Sequence, residues 1–269
     1  MASSTPTADF FNSDSPIAKV AFILLVVIVF VFALRLGTQL LAWLLKPSGN
    51  PILINGLIDG DQYMVIEQDP ANKKSIPILR SNNENEGIEF TWSVWLLIND
   101  YQADSNKYKH IFHKGNDSIE RSGDGLVSPN NAPGLYIHPN KNALVVIMNT
   151  FTTIKEEVII NDLPLKKWFN ITIRVQNNTL DIYVNGSIVN RHKLSGVPKQ
   201  NYSKVYVNMN DGFKGNLSNL RYFNHAVGTN EIERIALDGP NLKRTGPDVL
   251  SSTPPYLGTR WYLENDSRM

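Results

Sequence analysis

Few side chains in this chain combine the type and spacing that catalysis needs. One Glu-x-Asp pair occurs, Glu67-Gln68-Asp69, followed at once by Pro70. Two carboxylates on one strand face could act as acid and base, but no second Glu follows in register, and the segment reads as a solvated turn. His110 and His113 sit three apart in an apolar run. On a regular strand that spacing sends them to opposite faces, so they are not expected to share a metal. His138, His192 and His225 have no Asp or Ser partner that the sequence can assign. The absence of Cys removes disulfides, thiolate metal sites and Cys nucleophiles together. No Gly-rich phosphate loop and no nucleophile elbow is present. The expectation is a protein that is not an enzyme and carries no cofactor.

What must position these residues is divided sharply along the chain. The run from Val20 to Leu34, VAFILLVVIVFVFAL, holds no polar side chain, with Lys19 before it and Arg35 after it. Twenty residues from Ile17 to Leu36 make a helix of about 30 Å, the thickness of a bilayer core. Lys19 and Arg35 then snorkel to the two interfaces, and Trp43 serves as an aromatic anchor. Pro16 suits a first helical turn, capped by Ser15 or Asp14. Residues 17–46 are therefore expected to be a membrane-spanning and interfacial helix, preceded by a tail over 1–16.

Two opposing signals bear on orientation. The first 18 residues carry no Lys or Arg, whereas Arg35 and Lys46 flank the other end, which places the C-terminal part on the cytoplasmic side. Seven Asn-x-Ser/Thr sequons, from Asn116 to Asn265, point outward. With 30 Asn and 32 Ser plus Thr in the chain, chance alone supplies roughly half that number. The 26 basic residues against 25 acidic ones give no broad basic footprint, so nucleic acid is not an expected partner.

The remainder reads as β structure. In GIEFTWSVWLLIN, Ile88, Phe90, Trp92, Val94, Leu96 and Ile98 alternate on one face, while Trp95 and Leu97 keep the other partly apolar. That pattern predicts a central strand covered on both sides. Further strands are predicted over 109–113, 134–138, 143–150, 156–160, 168–175, 179–184, 187–191, 204–208 and 215–223. Asn185-Gly186 between two of them is the strongest hairpin signal, because a type I′ turn needs positive φ at both central positions. A short helix is predicted over 231–237, capped by Asn230 with Glu233 at the third position. Short strands with turn signals between them predict an all-β, antiparallel two-sheet sandwich.

The order of these motifs resembles the laminin-G-like (concanavalin A-like) jelly-roll family. The segments that carry the likeness are FTWSVWLLI, IFHKG, WFNITIRVQNNTLDIYVNGSIV and FKGNLSNLRYFNHAVGTNEIERI, in that order, over residues 86–237. The resemblance implies a sandwich over 86–238; by their own residues, 47–85 read as linker and first strands and 239–269 as a Pro-rich, aromatic arm. One N-terminal span, the RSNNENEGIEFTWSVW segment and the PPY…RWY tail look similar, more narrowly, to membrane-anchored laminin-G-like proteins of large eukaryotic DNA viruses. That likeness implies a minor capsid or virion membrane protein, tying the coat to an internal membrane. Its partners would be the lipid bilayer and other coat proteins, with Tyr256, Trp261 and Tyr262 as contact candidates.

An alternative function is a surface-displayed carbohydrate-binding or adhesion module, with Tyr101, Tyr108 and Tyr136 stacking on sugar rings. Glucan hydrolases of this fold use a Glu-x-Asp-x-x-Glu strand, which the chain lacks. Some family members hold a calcium ion at the rim, for which Asp211 is the candidate, with Asp100, Asp104, Asp117 and Asp124 in the long loops. Sequence does not make these oxygens converge, and no metal is expected.

Overall fold

A computed structural model describes residues 15–72, 75–101, 106–118 and 123–245. The tail aromatics Tyr256, Trp261 and Tyr262 and the loop residue Asp104 lie outside the described residues. The chain divides into two units, Met1–Pro47 and Ser48–Met269.

The first unit contains one helix, α1 (Pro16–Leu44), of 29 residues. Pro16 opens it, as its fixed φ and missing N–H favour, and the Ser15 carbonyl accepts the Lys19 N–H at 3.1 Å. The helix is long and apolar enough to cross a membrane, and none of its residues is buried. Val20, Leu34 and Trp43 are all exposed. A soluble core helix would bury one stripe; this one has no polar face to turn outward.

The second unit is a sandwich of two antiparallel sheets, as the strand patterns predict. In chain order its strands are β1 (Ile52–Asp59), β2 (Met64–Ile66), β3 (Asn82–Glu84), β4 (Gly87–Asp100), β5 (Lys109–Gly115), β6 (Asn131–Ile137) and β7 (Ala143–Met148). They continue with β8 (Glu156–Asn161), β9 (Trp168–Asn177), β10 (Thr179–Val184), β11 (Ser187–Lys193), β12 (Val205–Val207) and β13 (Lys214–Phe223). The first sheet runs β1-β13-β4-β9-β10-β11 with β3 hydrogen-bonded to β4, and the second runs β2-β12-β5-β6-β7-β8.

The alternating residues of β4 all enter the space between the sheets, and Leu96 and Ile98 are sealed from solvent. Trp92 joins the layers. Its ring stacks on Phe112 of the opposite sheet at 5.3 Å and meets Tyr222 edge-on at 5.1 Å. On the outer face of the first sheet, helix α2 (Thr229–Asp238) packs Ile232 and Ile235 onto Tyr183, Phe223 and Val227. This cover explains why the outer face of the sheet is itself partly apolar.

Two glycines hold the backbone where a side chain could not follow. Asn185 and Gly186 turn β10 into β11 with φ of 49° and 83°, the type I′ geometry their sequence predicts. A Cβ on Gly215 would stand 1.9 Å from the Leu97 carbonyl oxygen, so only glycine lets β13 close on β4 there.

Two readings of the sequence need correction. Helix α2 is capped by Gly228, not Asn230: the Gly228 carbonyl accepts both the Glu231 and Ile232 N–H groups at 3.1 Å. Asn230 therefore lies inside the first turn. Strand β3 was not predicted, because Asn82-Asn83-Glu84 is exposed and polar and is held by backbone pairing to β4 alone.

Candidate functional site

The tyrosines expected to form a sugar platform do not form one. Tyr136 is fully buried, and its hydroxyl donates to Asn131 Oδ1 at 2.7 Å. The segment after residue 122 folds back over the outer face of the second sheet, where Leu126 packs with Tyr136, Val145 and Ile147. Tyr108 is half-buried against that cluster, and Tyr101 packs partly buried against the main core. Tyr136 thus serves packing, and the other two rings lie on different clusters.

The histidines need a second correction. His110 and His113 share one face, because β5 carries a register irregularity between His110 and Phe112 that makes room for Ile111. His110 Nε2 lies 2.6 Å from His113 Nδ1. The Met209 N–H donates to His110 Nδ1 at 3.0 Å, which makes His110 Nε2 the donor toward His113. His113 Nε2 in turn donates to the Asn116 carbonyl at 2.6 Å. All four ring nitrogens are thereby engaged and none is left to bind a metal. Tyr206 stacks on His113 at 5.0 Å. Burial, reinforced by His113, lowers the His110 pKa, and burial brings His113 down to about 4.

At the rim, Asp211 lines a cleft with Asp59 and Asp61, but Lys109 and Lys214 line it too. Asp59 is already taken by Asn216 Nδ2 at 2.9 Å and by Arg244 at 3.1 Å. Among the described residues no group of three or more His, Asp or Glu is placed to hold a metal ion. Glu67 pairs with Lys204 at 2.7 Å, and Asp69 accepts the Ala71 N–H in a local turn.

A more constructed site lies between the sheets, where the first half of β4 and the end of β13 face the end of β5. There a cleft of about 250 Å³ opens. Its apolar lining includes Ile78, Phe90, Trp92 and Tyr222, and its polar lining includes Lys114 and Gln200. Lys114 is 6% exposed and donates to the Ser203 carbonyl at 2.5 Å. No carboxylate among the described residues pairs with this ammonium, and burial alone lowers its pKa to about 8. Tyr222 is buried too, which raises its phenol pKa, and its hydroxyl makes no hydrogen bond among the described residues. The Ser81 hydroxyl donates to Gln200 Oε1 and so orients that amide. In the sequence Lys114 is marked only as a lysine in strand register immediately after an apolar run, in IFHKG.

Two antiparallel sheets packed around Trp92, with a closing helix on the outer face, define a concanavalin A-like jelly roll. The chain belongs to the concanavalin A-like lectin/glucanases superfamily, whose laminin G model matches residues 71–233. No curated protein matches the chain by sequence.

Among solved structures, the receptor binding domain of botulinum neurotoxin D is similar at 16% identity, over 71% of this chain and 52% of that one, with a TM-score of 0.46. The botulinum neurotoxin serotype D ligand binding domain in complex with N-acetylneuraminic acid is similar at 14% identity, over 68% of this chain and 45% of that one, TM-score 0.45. The binding domain of botulinum neurotoxin DC in complex with rat synaptotagmin II is similar at 16% identity, over 56% and 35%, TM-score 0.42. This chain spans from about a third to a half of those chains.

Proposed function

We propose that the chain is a single-pass membrane protein whose sandwich is a non-catalytic structural module, linking a protein coat to the membrane in which α1 sits. A minor capsid or virion membrane protein of a large DNA virus is the form this takes. The observation that carries the reading is α1 itself: 29 residues, apolar on every face, none of them buried. In this reading residues 1–16 are a tail, 17–46 the anchor, 47–85 the lead into the sandwich at 86–238, and 239–269 an arm that meets coat proteins. The bilayer and those coat proteins are the partners.

Three of the sequons do not weigh against a domain on the cytoplasmic-origin side. Asn170 is sealed from solvent, and its amide donates to Ser93 Oγ at 3.0 Å and to the Val94 carbonyl at 3.2 Å. The amides of Asn201 and Asn216 likewise donate to Lys114 O and Asp59 Oδ1. Nitrogens already bound inside the fold are poor glycan acceptors.

Alkaline extraction of membranes carrying the full chain tests the anchor. The chain is expected to stay with the lipid, whereas Val27→Arg with Phe30→Arg is expected to release it. Each arginine at mid-span costs about 2.5–3.5 kcal/mol of insertion free energy. An unaltered chain that extracts into the aqueous fraction overturns the proposal.

A further inference from the structure

The cleft between the sheets is a binding site in its own right, and its chemistry selects a class of ligand. Its lining carries two lysines, Lys114 and Lys199, and no Asp or Glu. Lys199 is partly engaged, its ammonium 5.7 Å above the Phe151 ring. Lys114 is the unusual group: an ammonium nine-tenths buried, with one carbonyl partner and no counter-ion among the described residues. An ammonium has three donors, so two remain. The same cleft is lined by Tyr222 and Gln200, whose hydroxyl and amide nitrogen have no hydrogen-bond acceptor among the described residues.

Burying a charge without a partner is costly, and buried cations in folded proteins are paired. No pairing group for this ammonium stands among the described residues, which leaves it open to an anionic occupant of the cleft. A lining that combines the Lys114 ammonium of one sheet with Phe90, Trp92 and Tyr222 of the other calls for an occupant with one anionic end and an apolar body. A volume of about 250 Å³ falls below the usual range for drug-sized ligands, so the occupant is small. A single buried lysine matches a monoanion such as a carboxylate better than a phosphate dianion.

We infer that this cleft binds a small organic carboxylate, its two oxygens received by Lys114 Nζ and the Tyr222 hydroxyl and its body lying against Phe90 and Trp92. This goes beyond the coat-linking role and does not depend on it, because the cleft lies wholly within the second unit.

The test uses the full chain in nanodiscs, with benzoate as the probe and benzamide as its uncharged counterpart, followed by ligand-observed NMR. Benzoate is expected to bind at least about tenfold tighter than benzamide at pH 7, as a charge-assisted bond to a buried lysine gives. The preference should shrink as pH rises past 8, and should disappear in Lys114→Met. Tyr222→Phe keeps the ring and should weaken benzoate severalfold, and benzamide, whose carbonyl accepts a weaker neutral bond, by less. Equal affinity of the two probes, no binding of either, or an intact preference in a Lys114→Met chain that melts like the parent each overturns the assignment. Should Lys114→Met fail to fold, the benzoate-to-benzamide ratio of the unaltered chain and its pH dependence still decide.

Discussion

Asp181→Ala is expected to destabilise the sandwich by about 3–5 kcal/mol, the cost of stranding a buried charge by removing its partner. Asp181 lies directly opposite Arg174 on β9 and Arg191 on β11, so three strands of the first sheet are tied through one carboxylate. Arg174 reaches Oδ2 at 2.9 Å, while Arg191 takes Oδ1 at 2.7 Å and Oδ2 at 3.1 Å. The Asp181 side chain is 2% exposed and that of Arg174 16%, whereas Arg191 is 65% exposed. Removing the aspartate leaves the Arg174 guanidinium without its ion-pair partner, with bonds remaining to the Val227 carbonyl and to Gln176 Oε1. For a domain of this size the melting temperature should fall by roughly 6–20 °C. Arg191→Ala should shift it far less, because its charge faces water. Thermal melts of the two variants side by side check the ranking; a larger effect from Arg191→Ala would contradict it.

Acid should weaken the sandwich through the histidine pair. Both rings are neutral and fixed in one tautomer by the chain from Met209 N–H to the Asn116 carbonyl. In the folded state His113 takes a proton only near pH 4, whereas its ordinary value is 6.5. The unfolded chain therefore binds the proton first, and stability falls as pH drops through 6.5, with the loss complete near 4. That difference is worth about 3 kcal/mol for His113, and the lowered pKa of His110 acts in the same direction. His113→Gln should flatten the profile between pH 6.5 and 4.5, leaving the carboxylate-driven fall below it. Melting temperatures across that window provide the check; parallel profiles for parent and variant would sink the idea.

Much of this architecture was legible in the sequence because it rests on local rules. The alternation in β4, the Asn185-Gly186 turn and the unbroken apolar run of α1 each follow from a period or a backbone preference that a few residues carry. The site was less legible. The irregularity at Ile111 shifts the pleat by one residue and brings His110 and His113 together, and no turn residue marks it. Tyr136 looked available for stacking because its strand gives no sign that Leu126 folds back over it. Lys114 and Tyr222 are more than a hundred positions apart, and only the meeting of β5 with β13 across the sandwich makes them neighbours of one cleft. Local patterning built the strands; long-range pairing built the site.

On the proposed function, α1 holds the sandwich on the cytoplasmic-origin face of a membrane. Protease added to sealed microsomes bearing the full chain tests it most directly, with endoglycosidase treatment and mass analysis of the product. The sandwich is expected to be digested from outside and to carry no glycan at Asn177 or at the exposed Asn185. A sandwich that resists protease until detergent is added, and loses mass on deglycosylation, would contradict it.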